Sequence, residues 1–432
     1  NLEGLSEEKR KDLVKFYTAL YHCFCAPTNY TESTREYLGF DHEPHTADGF
    51  NFYSDLSIWD IYRTEWPLLV LLQPEISRDV VISMLKMSDQ SPQPSSSLPK
   101  WAFIGGDTGS MEGLFAVNMM ADFLYNAAES EVSTVNTSDI LDKSANSLRQ
   151  REGSDWSNYG YIPGSVSKSL CFAFNDYCVS RIAAYENDVK TELDFLATSK
   201  NWELLWNEKV KFLCDKDSSG NWTDCDRFIW PDIAPDVRDH HYTEGDAWHY
   251  RWFVPHDLQE LIKRMGGNEE FTRVLDLFFS RSEKDGSNLL PNPFYWAGNE
   301  PDIQTPYLFV HSKAYNKTVE WVNELRETKY TPYSNGMSGN DDYGTLSAWF
   351  VWSGLGLFPE PCMARYSLGV PLFSSMRVNL ENKNHIFINT HNEMNGSCSS
   401  VCQVTWNGEV MDDYFLPSQS ILSGGNLDFY CC

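Results

Sequence analysis

Basic residues are scarce in this chain. Lys and Arg number 34 against 61 Asp and Glu, a formal net charge of −27 over 432 residues. A phosphate backbone needs a basic surface, so nucleic acid is excluded as a partner. An anionic membrane surface is disfavoured on the same ground. Long apolar runs are also missing. "PLLVLL" is among the longest, far short of the roughly 18 to 20 residues of a membrane span. No signal-like segment follows Asn1, which predicts a processed or truncated chain whose address label lay elsewhere.

Rings and cysteines are abundant. The chain is 42% hydrophobic and 14% aromatic, with 15 Trp and 22 Tyr, enough for a large core and for flat surfaces that suit sugar faces. Five Asn-x-Ser/Thr sequons stand at Asn29, Asn136, Asn221, Asn316 and Asn395, beside eleven cysteines. Several cysteines are close in loop-like sequence: Cys23 and Cys25, Cys214 and Cys225, Cys398 and Cys402, Cys431 and Cys432. Cys171 and Cys178 fall in one predicted helix, where seven residues span about 10 Å. They need partners elsewhere or stay reduced. The odd count leaves a thiol free or bridged to another chain. Together these features predict a glycoprotein of the secretory route, in an extracellular, cell-surface or lysosome-like compartment.

Residues 1–360 read mostly as helices. Ser6 is a fitting N-cap for "SEEKRKDLVKFYTALYHCF", whose Leu13, Phe16, Tyr17 and Leu20 form an apolar stripe. Similar stripes run through "WDIYRTEWPLLVLL", "MEGLFAVNMMADFLYNAA", "SVSKSLCFAFNDYCVSRIAAY", "DVKTELDFLATSKNWELLWNEKVKFL" and "YGTLSAWFVWSGLGLF". About a dozen such segments, with long loops between them, fit a toroid of helix pairs. Residues 361–432 change period: "MRVNLENKNHIFINT" and "VCQVTWNGEV" alternate at two, with Asn407-Gly408 as a hairpin turn. "DKDSSGNWTDCD" (215–226) spaces its acids like a calcium-binding helix-loop-helix motif. Its flanking cysteines and sequon favour a disulfide-pinned Asp-Gly turn instead.

Four stretches mix acids with Trp and Gly in a way a core does not require. They are "SIWDIYRTEWP" (57–67), "YTEGDAWHYRWFVPHD" (242–257), "YWAGNEPDIQTPY" (295–307) and "GNDDYGTLSAW" (339–349). Glu244 stands among rings before Gly245. Partial desolvation there raises a carboxyl pKa and suits a proton donor. Adjacent Asp341 and Asp342 attract a cation, or divide the work, one held by structure and one activating water. "GNEP" sets an amide oxygen beside a carboxylate, hard ligands for calcium. Plain structural roles compete with each: Asp342 as a helix N-cap, Asp60 with Arg63 as an ion pair one turn apart.

Through nearly its whole length the chain resembles glycoside hydrolase family 92, the calcium-dependent exo-α-mannosidases. The resemblance rests on "SIWDIYRTEWPL", "YGYIPGSVSKSL", "YTEGDAWHYRWFVPHD", "GNEPDIQTPYLF", "GNDDYGTLSAWFVWSGLGLFP" and "YSLGVPLF" in that order. It implies a mainly α (α/α)6 barrel with a C-terminal β-rich segment, normally preceded by a β-sandwich domain that this chain begins too late to contain. That domain is expected on a separate chain from the same precursor, or to be absent. The segment 361–432 is expected to pack on the barrel or on that domain. The resemblance further implies hydrolysis of terminal α-mannosides with inversion, Glu244 as general acid and Asp342 as general base, Asp341 beside it. Inversion needs the two carboxyls roughly 6.5 to 9.5 Å apart. Asn299 and Glu300 match the Ca2+ site, and Trp59, Asp60 and Arg63 the loop that holds the terminal sugar. Trp248, His256, Asp257, Tyr295 and Trp296 complete the expected substrate-binding set, the partner being a mannose-containing glycan.

Departures from the family pattern concern Asp246 and His249 in place of Asn and Gln, Ile303 and Phe115 in place of histidines, and Cys171 in place of an acid. Tyr295 and Trp296 replace the His-Glu pair of 1,2-linkage enzymes. A second function therefore stands beside the enzyme: a catalytically degenerate barrel acting as a glycan-binding or structural subunit of an extracellular assembly.

Overall fold

The computed structural model describes residues 6–91, 97–151, 153–223, 241–282, 294–392 and 398–432. The fold is mainly α, an (α/α)6 barrel with a strand-rich C-terminal segment, as the sequence predicts. Two classes of helix build the barrel. Glu65–Leu72, Ala116–Asn126, Val166–Tyr185 and Thr345–Leu355 are buried nearly all round, the last at every residue. Helices apolar on all faces belong to an inner layer. Pro74–Gln90, Thr137–Arg149, Leu258–Met265, Asn268–Ser280 and Tyr315–Thr328 bury only one stripe and pack outside them. Helix Glu7–His22, capped by the Ser6 hydroxyl accepting from Lys9 N at 3.3 Å, packs against Thr345–Leu355. The start of the described chain thereby meets the last barrel helix.

Indole N–H groups fasten this inner layer to neighbouring backbone. Trp66 donates to the Met119 carbonyl (3.0 Å), Trp349 to Ile303 (2.9 Å) and Trp352 to Thr64 (2.8 Å). A buried indole needs such a partner, so each bulky ring also fixes a loop. Ile303, at one position where the family pattern has histidine, is thus buried with its carbonyl tied down.

Two helical stripes break where the sequence predicts continuity. "WDIYRTEWPLLVLL" splits into Ile58–Ile61 and Glu65–Leu72. The longer stripe is α-helical only over Val189–Thr198, tightens to a 3-10 turn over Ser199–Leu205, then forms a hairpin of Trp206–Asn207 with Phe212–Leu213. Buried Trp202, Leu205, Trp206, Phe212 and Leu213 satisfy either period, which is why spacing misreads them. Short hairpins also interrupt residues 28–54, pairing Thr28–Asn29 with Tyr53–Ser54 and Glu36–Leu38 with Pro44–Thr46.

The C-terminal segment holds a five-stranded sheet in the order Ser375–Asn379, His385–His391, Gly425–Cys431, Val401–Trp406, Glu409–Val410. Asn407 and Gly408 both have positive φ (52° and 85°), as the two-residue hairpin requires. Cys398–Cys431 and Cys402–Cys432 staple the ends of this sheet. Cys178, on the inner helix, pairs with Cys362, 184 residues on. Cys214 is disulfide-bonded; Cys225 lies outside the described residues. Cys23, Cys25 and Cys171 are free. In the 215–226 loop, Asp217 Oδ1 accepts from Ser219 N and Asn221 N, and Asp215 from Gly164 N and Thr223 Oγ1. These carboxylates serve the turn; residues 224–226 lie outside the described residues. The sequon residues Asn29, Asn136, Asn221 and Asn316 are exposed, and Asn395 lies outside the described residues.

Glu360 joins the barrel to a separate three-stranded sheet of Leu357–Glu360, Arg365–Leu368 and Phe415–Pro417. It accepts from His311 Nε2 and Arg365 Nε, each at 2.7 Å, and from the Ser367 hydroxyl. Burial alone would raise its pKa, but His311 and Arg365 bring it down to about 2. A depressed carboxyl stabilises the fold above its unfolded pKa and loses that contribution as pH falls through the folded one. Removing one partner of a buried ion group costs about 3 to 5 kcal/mol. Glu360→Gln is therefore expected to lower the melting temperature at pH 7 and to flatten the acid limb of stability between about pH 4.5 and pH 2, read by thermal denaturation across pH.

Candidate active site and acidic cation cluster

Four loops at one end of the barrel converge. The first enters through Ser57, whose hydroxyl donates to Asp60 Oδ2. Arg63 follows one turn later, but it does not pair with Asp60. Its Nε donates to the Trp59 carbonyl (3.1 Å) and its Nη1 to the Glu300 carbonyl (3.2 Å). The guanidinium lies over Trp59 (4.7 Å), Tyr62 (4.8 Å) and Phe253 (5.3 Å). Tyr62 stacks on Phe115 at 4.1 Å, so Phe115 becomes part of the aromatic casing of Arg63.

Asp60, Glu300 and Asp342 come together, with one oxygen of each lying within 4.8 Å of the others. Asp60 and Glu300 are buried. Both Glu300 oxygens are buried without a hydrogen-bond donor. Burial, then the neighbouring acids, raises all three: Asp60 to about 8 against the pull of Ser57 and Arg63, Glu300 well above its usual range, and Asp342 upward. Glu300 and Asp342 can hydrogen-bond each other only by sharing a proton. Like carboxyls this close must share protons or surround a cation. Hard oxygen donors without sulfur or imidazole suit calcium or magnesium over zinc. The cluster thus fits a hard divalent cation.

Glu244 occupies the second loop. It has φ 52°, a left-handed backbone that costs a non-glycine residue on the order of 1 to 3 kcal/mol. The surroundings hold it there. Tyr250 Oη donates to the Thr243 carbonyl (2.6 Å), the Ser167 hydroxyl accepts from Thr243 N (3.0 Å), and Asn299 Nδ2 donates to the Glu244 carbonyl (2.8 Å). Beyond it, Asp246 and His249 form a capping box for the short helix Ala247–Tyr250. His249 Nδ1 accepts from Asp246 N (3.0 Å), so its Nε2 carries the proton and donates to the Phe294 carbonyl (2.9 Å). The two departures from the family pattern are thus a matched pair. Burial raises the Glu244 pKa, as does the charge of Asp342, opposed by Asn299 and Arg63. Glu244 and Asp342 are therefore near enough to feel each other, while only Asp342 joins the cluster.

Two glycines hold the third and fourth loops against each other. A Cβ on Gly339 would stand 2.1 Å from the Gly298 oxygen, and one on Gly298 would stand 2.6 Å from the Ser338 oxygen. Only bare backbone permits this crossing. It sets Asn299-Glu300 beside Asp341-Asp342. The fourth loop then runs through Asp342, Tyr343 and Gly344 with φ 43°, 57° and 90° before helix Thr345–Leu355. Asp341, not Asp342, serves the helix terminus: Oδ1 accepts from Ser347 N (2.8 Å) and Oδ2 from Ser347 Oγ (2.9 Å). That leaves Asp342 free to face the cluster.

Other expected residues lie apart. Trp248 is packed edge-on against Phe212 at 5.1 Å, and Tyr295 lies tilted against Phe279 at 4.6 Å, both buried. Trp59 is buried beneath Arg63. His256 Nε2 donates to the Ser199 carbonyl (2.9 Å) while its ring stacks on Phe174, and burial lowers its pKa to about 4. Asp257 accepts from the Trp202 indole (3.2 Å). Trp248, Tyr295, His256 and Asp257 hold packing together, and Trp59 forms part of the casing of Arg63. Trp296 stays partly exposed, its backbone N–H donated to buried Asp302 (2.9 Å). Sequence reasoning missed Ser57 and the glycine pair; a Gly in each of two acid-bearing loops was the available signal.

The glycosyl hydrolase family 92 catalytic domain matches residues 3–431. A family GH92 α-mannosidase of Bacteroides thetaiotaomicron, solved in complex with mannoimidazole, superposes with TM-score 0.88 at 26% identity, over 100% of this chain and 60% of that one. A family GH92 inverting mannosidase of the same organism gives 0.83 at 24%, over 98% and 59%. A curated relative, an uncharacterized secreted glycosidase of Arthroderma benhamiae, is 23% identical over 304 residues, 63% of this chain and 38% of its own length. The chain thus spans about three fifths of its solved relatives.

The crossing predicts that Gly339→Ala, by forcing the two loops apart, weakens divalent-cation binding at least tenfold with little change in helix content. Calcium titration by calorimetry, beside circular dichroism, reads both; unchanged affinity would show that the close approach does not set the cluster.

Proposed function

The chain belongs to glycosyl hydrolase family 92, and from that premise we propose that it removes terminal α-linked mannose from glycans by calcium-assisted hydrolysis with inversion. The observation that carries this reading is the carboxyl cluster itself: Asp342 sits with Asp60 and Glu300, and Glu244, on another loop, feels the Asp342 charge without joining them. Glu244, whose pKa is raised by desolvation and by the Asp342 charge, donates its carboxyl proton to the departing glycosidic oxygen. Asp342 accepts a proton from the water that attacks the opposite face of the sugar. Arg63, immobilised by two carbonyls and three rings, gives the terminal sugar a fixed positive wall. Asn299 fastens the acid loop by donating its amide nitrogen to the Glu244 carbonyl. Asp60, Glu300 and Asp342, with Asn299, would hold Ca2+, which when bound acts as Lewis acid and template for the sugar hydroxyls.

The family resemblance, the disulfides and the secreted relative support a secretory-route glycoprotein. No helix among the described residues is long and apolar enough to cross a membrane. A groove of about 940 Å³ between helix Glu7–His22 and the edge strand Ser375–Asn379, lined by Leu13, Phe16, Leu372 and Met376, suits the expected β-sandwich partner.

The test is release of mannose from α-mannosides, with the product anomer followed by proton NMR. Wild type, with any partner domain supplied, is expected to yield β-mannose first and to stop on chelation. Glu244→Gln should lower kcat by about 10² to 10⁴. Activity should fall as pH rises past the elevated Glu244 pKa and fall again as pH drops below that of Asp342. Glu244→Gln should erase the alkaline limb. Binding of mannosides without turnover at any pH would favour the degenerate subunit instead.

A further inference from the structure

Behind the fourth loop lies a second cavity of about 360 Å³, lined by His22, Tyr330, Tyr333, Met337, Ser347 and Phe350 among others, and by none of the four site carboxyls. His22 is the last residue of its helix. Its Nδ1 stands 3.5 Å from Ser347 Oγ and 3.6 Å from Asp341 Oδ2. Ser347 already donates to both Asp341 oxygens, through N and Oγ. The next residue of the helix end abuts the same loop: a Cβ on Gly344 would meet Cys23 Cα at 2.9 Å, and Cys23 Sγ lies 3.8 Å from the Gly344 carbonyl. Asp342, Tyr343 and Gly344 form three consecutive left-handed residues between these two holds. A backbone in that region persists only where its surroundings determine it.

We infer that His22 is a positioning residue for Asp342, acting through the Asp341–Ser347 clamp from a cavity the substrate does not enter. The inference rests on the proposed reaction. With its hydroxyl proton committed to Asp341, Ser347 Oγ accepts from the His22 Nδ1–H at 3.5 Å, so the hydroxyl stays turned toward the carboxylate and holds Asp341 back from the cluster. The strained triplet then presents Asp342 alone. A base displaced by about 1 Å can cost as much as 10²-fold, so a modest slackening of the clamp acts on turnover more than on sugar binding, which Arg63 and the cation cluster govern.

The experiment compares His22→Ala, His22→Asn and Asp341→Asn on an α-mannoside, with calcium present. His22→Ala is expected to lower kcat about tenfold with KM and melting temperature nearly unchanged. His22→Asn, whose amide can replace the Nδ1 donor, should recover most of that loss. The His22→Ala, Asp341→Asn double variant should be no slower than Asp341→Asn, because both act on one clamp. Wild-type turnover with equal kcat in His22→Ala, or additive losses in the double variant, would overturn the inference while leaving the proposed function standing. Absence of turnover in wild type would count against that function itself. If His22→Ala does not fold, Ser347→Ala removes the hydroxyl shared by ring and carboxylate and reads the same clamp.

Discussion

Three carboxyls packed against one another, two of them buried, are the constraint around which this molecule is arranged. Asp60, Glu300 and Asp342 repel when ionised, and Arg63, whose charge offsets them only in part, spends its hydrogen bonds on two backbone carbonyls. The arrangement makes sense if a divalent cation completes it, since buried charge is tolerated when paired or metal-bound. The surrounding fold can then be understood as the frame needed to hold mutually repelling groups in place.

That frame works through small numbers of backbone anchors. Indole N–H groups of Trp66, Trp349 and Trp352 fix loop carbonyls to the inner helices. Gly298 and Gly339 allow two acid-bearing loops to cross at a distance no side chain would permit. The left-handed backbone at Glu244 and Asp342 lets short loops aim their carboxyls inward, and Asn299, Tyr250 and Ser347 hold the turns that result. Each anchor is ordinary, but together they place Glu244 and Asp342 on different loops at one end of the barrel.

Much of this could be read from the chain alone, and the reasons are physical. Acids beside Trp and Gly in four loops stand out because a core gains nothing from them, and three of those loops supply the cluster while the remaining one supplies Glu244. About a dozen apolar-striped segments fit a toroid of helix pairs, and the (α/α)6 barrel is what the family resemblance implies. Division of labour between Asp341 and Asp342 was not legible, because adjacent side chains point differently only once the turn conformation is known. Trp248 and Tyr295 mislead for a related reason: an aromatic ring near an acid reads the same whether it faces a sugar or fills the core. His256 and Asp257 share a motif with Glu244, yet local sequence does not show that their partners are Ser199 and Trp202, more than fifty residues away. The hairpin at Trp206–Leu213 was hidden because large buried residues satisfied both periods.

The central claim is that this knot of carboxyls is a cation site that orients the catalytic pair. Anomalous diffraction from crystals grown with calcium tests it most directly. The account predicts a single strong peak with oxygens of Asp60, Glu300 and Asp342 at about 2.3 to 2.6 Å, and Glu244 outside the coordination shell. An empty cluster at saturating calcium, with the three carboxyls sharing protons, would contradict it.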